Sequence, residues 1–231
     1  MKVDIGIIGA MESEVEGIVQ MLEDKTLECV SGIDFYVGVL EGKRVAVARC
    51  GVGKVFAAIC AEAMIIKYSP SLIVNTGVGG GIGEGISTGD VVIADKLVQY
   101  DMDTSELGDR RGMISGINKI YFDANLRAIN ILSNAAKELG FNAYVGGVAT
   151  GDRFVSSPAL RQEIVSEFSA LACEMEGAAI AHTAYVNNVP FAVIRAISDN
   201  ADGNATMDFP TFMPIAAKIS SALTVALVRE Y

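Results

Sequence analysis

Short, almost wholly apolar runs alternate with segments of helical spacing through most of this chain. A strand that is apolar on both sides must be covered on both faces, so the alternation specifies a largely parallel sheet between helical layers. Residues 3–9 form one such run, followed by apolar residues at 11, 15, 18, 19 and 22, the spacing of one helix face. Residues 72–76, 144–150, 171–174 and 191–198 read as further buried strands, and 90–100 as a long one. Residues 35–40 and 44–49 flank Glu41-Gly42-Lys43 and read as a hairpin. Helices are expected over 11–22, 54–68, 123–139, 158–168, 175–186 and 211–229, the third capped by Asp123 and closed by Gly140. The glycine-dense residues 77–85 read as a turn, and 101–121 as an irregular polar loop. The expected fold is a single α/β domain over 1–231, three layers α/β/α around a mixed, largely parallel twisted sheet.

Composition narrows the partners. With 51% hydrophobic and 20% charged residues, the 231-residue chain is a folded protein. A net charge of −10 argues against nucleic acid and anionic membrane surfaces, which need a cationic footprint. No uninterrupted apolar run reaches the ~18 residues that a membrane span needs. The cysteines, at 29, 50, 60 and 173, show neither C-x-x-C spacing nor a disulfide frame. With no signal-peptide pattern after Met1, they point to a reduced, cytoplasmic protein.

In parallel α/β sheets, ligands bind beyond the carboxyl ends of the strands. Four strand ends carry distinctive residues: Gly9-Ala10-Met11-Glu12, Gly77-Val78-Gly79-Gly80-Gly81, Met175-Glu176-Gly177 and the turn-forming run Ser198-Asp199-Asn200-Ala201-Asp202-Gly203. Each has a plain structural explanation. An acid in a first helical turn complements the helix dipole, and Asp and Gly make turns. Glu12, Glu176 and Asp199 at one sheet edge suit a more specific chemistry. Cleavage at an anomeric carbon passes through an oxocarbenium-like state, with one carboxyl as acid and another as base for water. Crowded, buried carboxyls have pKa values pushed apart, as such a division of labour requires. A third carboxylate can hold a vicinal diol. Phe154, directly after a strand, and Phe209 are loop aromatics able to stack on a base.

Other motifs fail. Gly42-Lys43 and Gly53-Lys54 lack the Ser/Thr of a P-loop, and no G-x-G-x-x-G register occurs among the 24 glycines. Gly85-Ile86-Ser87-Thr88-Gly89 matches G-x-S-x-G, but a strand follows it where the nucleophile elbow needs a helix. The single histidine, His182, leaves no histidine-based metal site and reads as a packed residue of an Ala-rich helix. No metal and no organic cofactor are implied.

Six blocks, in order and spacing, resemble the 5′-methylthioadenosine/S-adenosylhomocysteine nucleosidases over nearly the whole chain. They are Ile7-Ile8-Gly9-Ala10-Met11-Glu12-Ser13-Glu14, Cys50-Gly51-Val52-Gly53-Lys54-Val55, Asn75-Thr76-Gly77, Thr150-Gly151-Asp152-Arg153-Phe154, Glu174-Met175-Glu176-Gly177 through His182, and Arg195-Ala196-Ile197-Ser198-Asp199. The resemblance implies a hydrolase that releases adenine from 5′-thioadenosines. It implies Glu12 as the base on water and Asp199, held by Ser198, as the acid on N7. Glu176 would bind the ribose hydroxyls, with Met175 packed on the sugar. Phe154 would stack on adenine, the Val155 backbone would meet its edge, and Phe209 would close from a mobile loop. Arg195 would support Glu176 or Glu12. A homodimer is implied, each subunit lending residues near 104–113 to its partner's pocket. Val78 and Gly80 stand where the family's Thr-Gly-Ser-Ala-Gly-Gly stretch passes the nucleophile, and Val78 replaces its serine. Losing that hydroxyl disfavours phosphate as nucleophile. A phosphorylase of the same fold and a non-catalytic nucleoside-binding module are the alternatives. The first would need phosphate for turnover, and the second would not need two catalytic carboxyls.

Overall fold

The computed structural model describes residues 2–202 and 204–231; Met1 and Gly203, the last residue of the turn-forming run, lie outside it. In chain order the elements are β1 (Ile5–Gly9), α1 (Glu12–Gln20), β2 (Glu23–Val30), β3 (Ile33–Leu40), β4 (Lys43–Arg49), α2 (Lys54–Tyr68), β5 (Leu72–Gly81) and β6 (Val91–Gln99). Then come β7 (Tyr121–Asp123), α3 (Leu126–Glu138), β8 (Ala143–Thr150), α4 (Pro158–Phe168), β9 (Ala170–Glu174), α5 (Gly177–Val186), β10 (Phe191–Asp199) and α6 (Ala205–Glu230). All ten strands form one mixed sheet.

The two-residue period of the strands sorts their side chains into two cores. Ile8, Ile73 and Val92 face α2 and α5, packing with Ala57, Ala61, Met64 and Ala181. Their neighbours Ile7, Val74 and Ile93 face α1, α3 and α6, against Ile18, Leu132, Leu223 and Leu227. Alanines on α2 and α5 let those helices approach closely. Helix α6 has the length and hydropathy of a membrane span, yet its inner face, with Ala216, Ser220, Leu223 and Leu227, is buried against β5 and β10.

β5 organises the sheet. Leu72–Asn75 pair in parallel with β1, and Gly80 and Gly81 pair antiparallel with β9. β10 runs beside β5 from Ile73 to Gly80, so β1 and β9 must share its other edge. β10 also pairs with β6, β6 with β8, and β8 with β9. Five strands therefore close into a ring, β5–β10–β6–β8–β9. The carboxyl ends of β9 and β10 meet the far half of β5 inside that ring.

Several expectations change here. Residues 77–81 are strand rather than turn, buried throughout. Glycine is needed there for room: a Cβ on Gly80 would lie 3.0 Å from Ala201 Cβ and 3.2 Å from Asp199 Oδ1 and Cys173 Sγ. β2 gave no strand signal because its side chains are mostly exposed and polar. Helix α6 begins at Ala205, not 211, and contains Pro210 and Pro214, which sit within its first three turns. Helix α3 is capped by Asn125, whose side chain accepts from Ala128 N at 3.0 Å, while Asp123 ends β7. Replacing Asn125 by Ala should therefore cost about 1 kcal/mol in urea unfolding. Replacing the exposed Asp123, paired only loosely with Lys119 at 3.8 Å, should leave the midpoint nearly unchanged.

Candidate active site

A cavity of about 260 Å³ opens where the end of β1, the far half of β5 and the ends of β9 and β10 meet. Glu14, Glu176 and Asp199 all reach it. Glu14 is buried, and its carboxylate is held by three backbone donors: Ala10 N and Met11 N on Oε2, both at 2.8 Å, and Val78 N on Oε1 at 3.0 Å. A carboxylate accepts about four hydrogen bonds, so one position on Oε1 is left over. Burial raises the Glu14 pKa above that of an ordinary carboxyl, opposed by the three N–H donors and the Arg195 charge. Gly77 is required beside it, since a Cβ there would stand 2.5 Å from Glu14 Oε1.

Glu12 is elsewhere. Its side chain is 74% exposed, pairs with Arg49 at 3.4 Å and does not line the cavity. The reason is helical geometry. With Met11 as N-cap, Glu12 is the first helical residue and projects outward. Glu14 is the third, from which side chains reach back over the first turn toward the strand end. The expectation for Glu12 is corrected accordingly, and Glu14 is the residue that sequence reasoning passed over.

Asp199, the last residue of β10, accepts from Ser198 Oγ at 2.9 Å on one oxygen and from Ala201 N at 2.9 Å on the other. Its pKa is raised, first by burial and then by Asp202 and Asp208, against those two hydrogen bonds. Glu176 stands at the N-cap position of α5 without a side-chain cap bond, and its carboxylate accepts from Gly53 N at 2.8 Å. Burial, then the neighbouring Glu174 carboxylate, lifts Glu176 to about 8.

Arg195, expected to support Glu176 or Glu12, does not line the cavity and makes no hydrogen bond to either. It is fully buried and pairs with Glu174, while its Nη2 also donates to Asn75 Oδ1 at 2.5 Å. Glu174 further accepts from Thr150 Oγ1 and from the N–H groups of Glu176 and Gly177 at 3.0 and 2.7 Å. Arg195 acts on Glu14 and Glu176 through its charge.

Val78, Gly80, Phe154, Val155, Met175, Ser198 and Phe209 line the cavity as expected. Phe154, 42% exposed, meets Phe209 edge-on at 5.6 Å between ring centres. Phe209 stands on α6, not in a loop, and packs beside Val78, Ala196 and Ala216. Val52 and Arg153 also border the cavity. His182 stacks on Phe122 at 5.1 Å, as a packed histidine does. Among the described residues, no three His, Cys, Asp or Glu side chains are grouped to hold a metal ion.

The profile of the phosphorylase superfamily matches residues 4–229. The 5′-methylthioadenosine/S-adenosylhomocysteine nucleosidase of Shewanella halifaxensis is 37% identical over 228 residues, 98% of this chain and 99% of the relative. That of Staphylococcus aureus is 39% identical over 227 residues, with the same coverage. The chain belongs to this nucleosidase family. The crystal structure of the Neisseria meningitidis nucleosidase, in complex with methylthio-immucillin-A, superposes with a TM-score of 0.96 at 34% identity, covering 99% of both chains. The futalosine hydrolase of Helicobacter pylori superposes at 0.94 with 32% identity, covering 99% of this chain and 98% of that one. Within this nucleosidase frame, the Arg195–Glu174 pair is the buried centre of charge. Replacing Arg195 by Met should cost about 3–5 kcal/mol in urea unfolding, because Glu174 is left without its counter-charge.

Proposed function

We propose that the protein hydrolyses the N-glycosidic bond of 5′-methylthioadenosine and S-adenosylhomocysteine, and of 5′-deoxyadenosine, releasing adenine and the 5′-substituted ribose. Such an activity serves methionine salvage and the removal of S-adenosylhomocysteine. The observation that carries this reading is a pair of carboxyls, Glu14 and Asp199, with raised pKa values in one largely apolar cavity.

The roles follow from the geometry. Glu14, ionised, takes a proton from water as the water oxygen bonds to C1′. The C1′–N9 bond breaks, and protonated Asp199 gives its proton to N7 of the departing adenine. Glu176 accepts from the ribose 2′ and 3′ hydroxyls and so helps carry the positive charge that develops on the sugar. Phe154 stacks on the base, the Val155 backbone meets the edge of adenine, Met175 packs on the sugar and Phe209 closes the ribose side. Ser198 orients Asp199. Val78 supplies an N–H to Glu14 and no hydroxyl, and a carboxylate beside the nucleophile repels phosphate, so water is favoured over phosphorolysis.

The working unit is a homodimer. Val55, Ile59 and Ile66 form an exposed apolar stripe along α2, beside Tyr185 and Val186 of α5. Leu107, 84% exposed on the 101–121 loop, suits insertion into a partner's pocket. Arg111 fastens that loop to Glu163 and Glu167 of α4, both at 2.6 Å. Four free cysteines, three of them buried, suit the cytoplasm.

Adenine release from 5′-methylthioadenosine should be fast without phosphate and unchanged by adding it; strict phosphate dependence would make the enzyme a phosphorylase. Glu14→Gln should lose at least about 100-fold in kcat, the low end for general acid–base catalysis, whereas Glu12→Gln should stay near wild type. The pH profile of kcat/KM should be a bell. It falls on the acid side as Glu14 and Glu176 gain protons, and on the alkaline side as Asp199 loses the proton it must donate. Sedimentation should show two 24.3 kDa chains associated, and Ile59→Arg should separate them.

A further inference from the structure

Behind Glu176, three segments distant in sequence close a ring of hydrogen bonds that the proposed mechanism leaves unused. Gly53, whose N–H bonds Glu176 Oε1, is the N-cap of α2 and has no side chain with which to cap it. The cap comes from Asp152, 98 residues away, whose Oδ1 accepts from Lys54 N at 2.7 Å. Asp152 is itself held, its N–H donating to Asp101 Oδ2 at 2.9 Å. The circuit closes where Asp101 Oδ1 pairs with Lys54 Nζ at 2.6 Å, the same ammonium reaching Gln99 Oε1 at 3.3 Å.

The geometry points to Asp152 as a positioning residue for ribose recognition: through the Gly53–Lys54 backbone it aims the Gly53 N–H at Glu176 and leaves the second carboxylate oxygen of Glu176 for the sugar diol. Asp152 does not line the cavity. Its grip is close, because a Cβ on Gly53 would stand 3.0 Å from Asp152 Oδ1, and Gly53 has the positive φ of +102° that glycine tolerates. The same residue begins the loop that carries Phe154 and Val155. One carboxylate thus ties the wall for the base to the anchor for the ribose.

A helix cap alone would affect stability and nothing more. The difference lies in the Gly53 N–H, which favours the ionised form of Glu176. Around Glu176 stand the Glu174 and Glu14 carboxylates, the Arg195 guanidinium and the Cys50 thiol, and the hydrogen bonds of Asp152 run to Lys54 and Asp101 rather than to any of these.

The inference rests on the proposed nucleosidase reading, and two readouts separate the failure of one from that of the other. The first is kcat and KM for adenine release from 5′-methylthioadenosine across pH. Asp152→Ala should raise KM about tenfold or more, the scale of one hydrogen bond to a charged group, and move the acid limb of kcat/KM to higher pH. Asp152→Asn, whose amide oxygen still accepts from Lys54 N, should restore both. The second readout needs no substrate: the Glu176 carboxyl, followed by carbon NMR in ligand-free protein, should titrate higher in Asp152→Ala. Asp101→Asn, which loosens the clamp but keeps Asp152, should shift it the same way by less, and serves if the alanine variant does not fold. An unmoved Glu176 titration in the variants that fold overturns the inference, as does a lower Tm with KM and acid limb unchanged. A wild-type protein that releases no adenine overturns the nucleosidase reading instead, and the NMR titration still decides the role of Asp152.

Discussion

The buried pair of Arg195 and Glu174 is the contact on which the rest of the site depends. Four carboxyls, Glu14, Glu174, Glu176 and Asp199, border one small cavity, and such a cluster would repel itself apart or go neutral without compensation. One guanidinium with no exposure supplies it, within electrostatic reach of Glu14, Glu174 and Glu176. Burying an ion pair is rarely favourable by itself. Here most of the remaining polar atoms are satisfied: Asn75 and the Ile194 carbonyl accept from Arg195, and Thr150 and two backbone N–H groups donate to Glu174, while Arg195 Nε is buried without a partner. The pair is therefore part of the fold's hydrogen-bonding frame and sets how much negative charge the cavity tolerates.

Asp199 lies apart from that influence. Burial and neighbouring aspartates act on it, and no cation is paired with it among the described residues. Two carboxyls of one cavity are thereby given different environments: Glu14 has backbone donors and a guanidinium, Asp199 a hydroxyl, one backbone donor and acidic neighbours. Burial raises both, and the guanidinium opposes that rise only at Glu14, as the proposed division between base and acid requires.

How much of this was legible in the sequence depended on how local the determining physics was. Helices α2 and α4 are found where their residues announce them, α4 with Pro158 at its first position. Buried strands stood out as apolar runs. β2 did not, because an exposed edge has no apolar face to alternate. The glycines after Asn75 read as a turn because glycine usually marks one; their true cause is crowding by residues distant in the chain, Glu14 against Gly77 and Cys173, Asp199 and Ala201 against Gly80. Glu12 and Glu14 are two residues apart, and composition does not separate them. Only the position of the N-cap, Met11, does so, by deciding which acid looks back at the strand end. Most of the residues that the family resemblance pointed to line one cavity, while telling Glu14 from Glu12 within it needed the three-dimensional frame.

The closure of five strands into a ring has a consequence for the protein's behaviour at high concentration. A strand inside a ring has both edges occupied and offers no template to another chain. The long arm of the sheet ends instead on β2, whose outer edge is open. That edge carries Glu23, Asp24, Lys25 and Glu28, and its pairing with β3 is interrupted between Glu23 and Thr26. Charge and irregular pairing both discourage a foreign strand from docking. The apolar β-rich core is thus shielded from the edge-to-edge association that leads to aggregation, and the polar strand that was hardest to see in the sequence is the one that provides the shield.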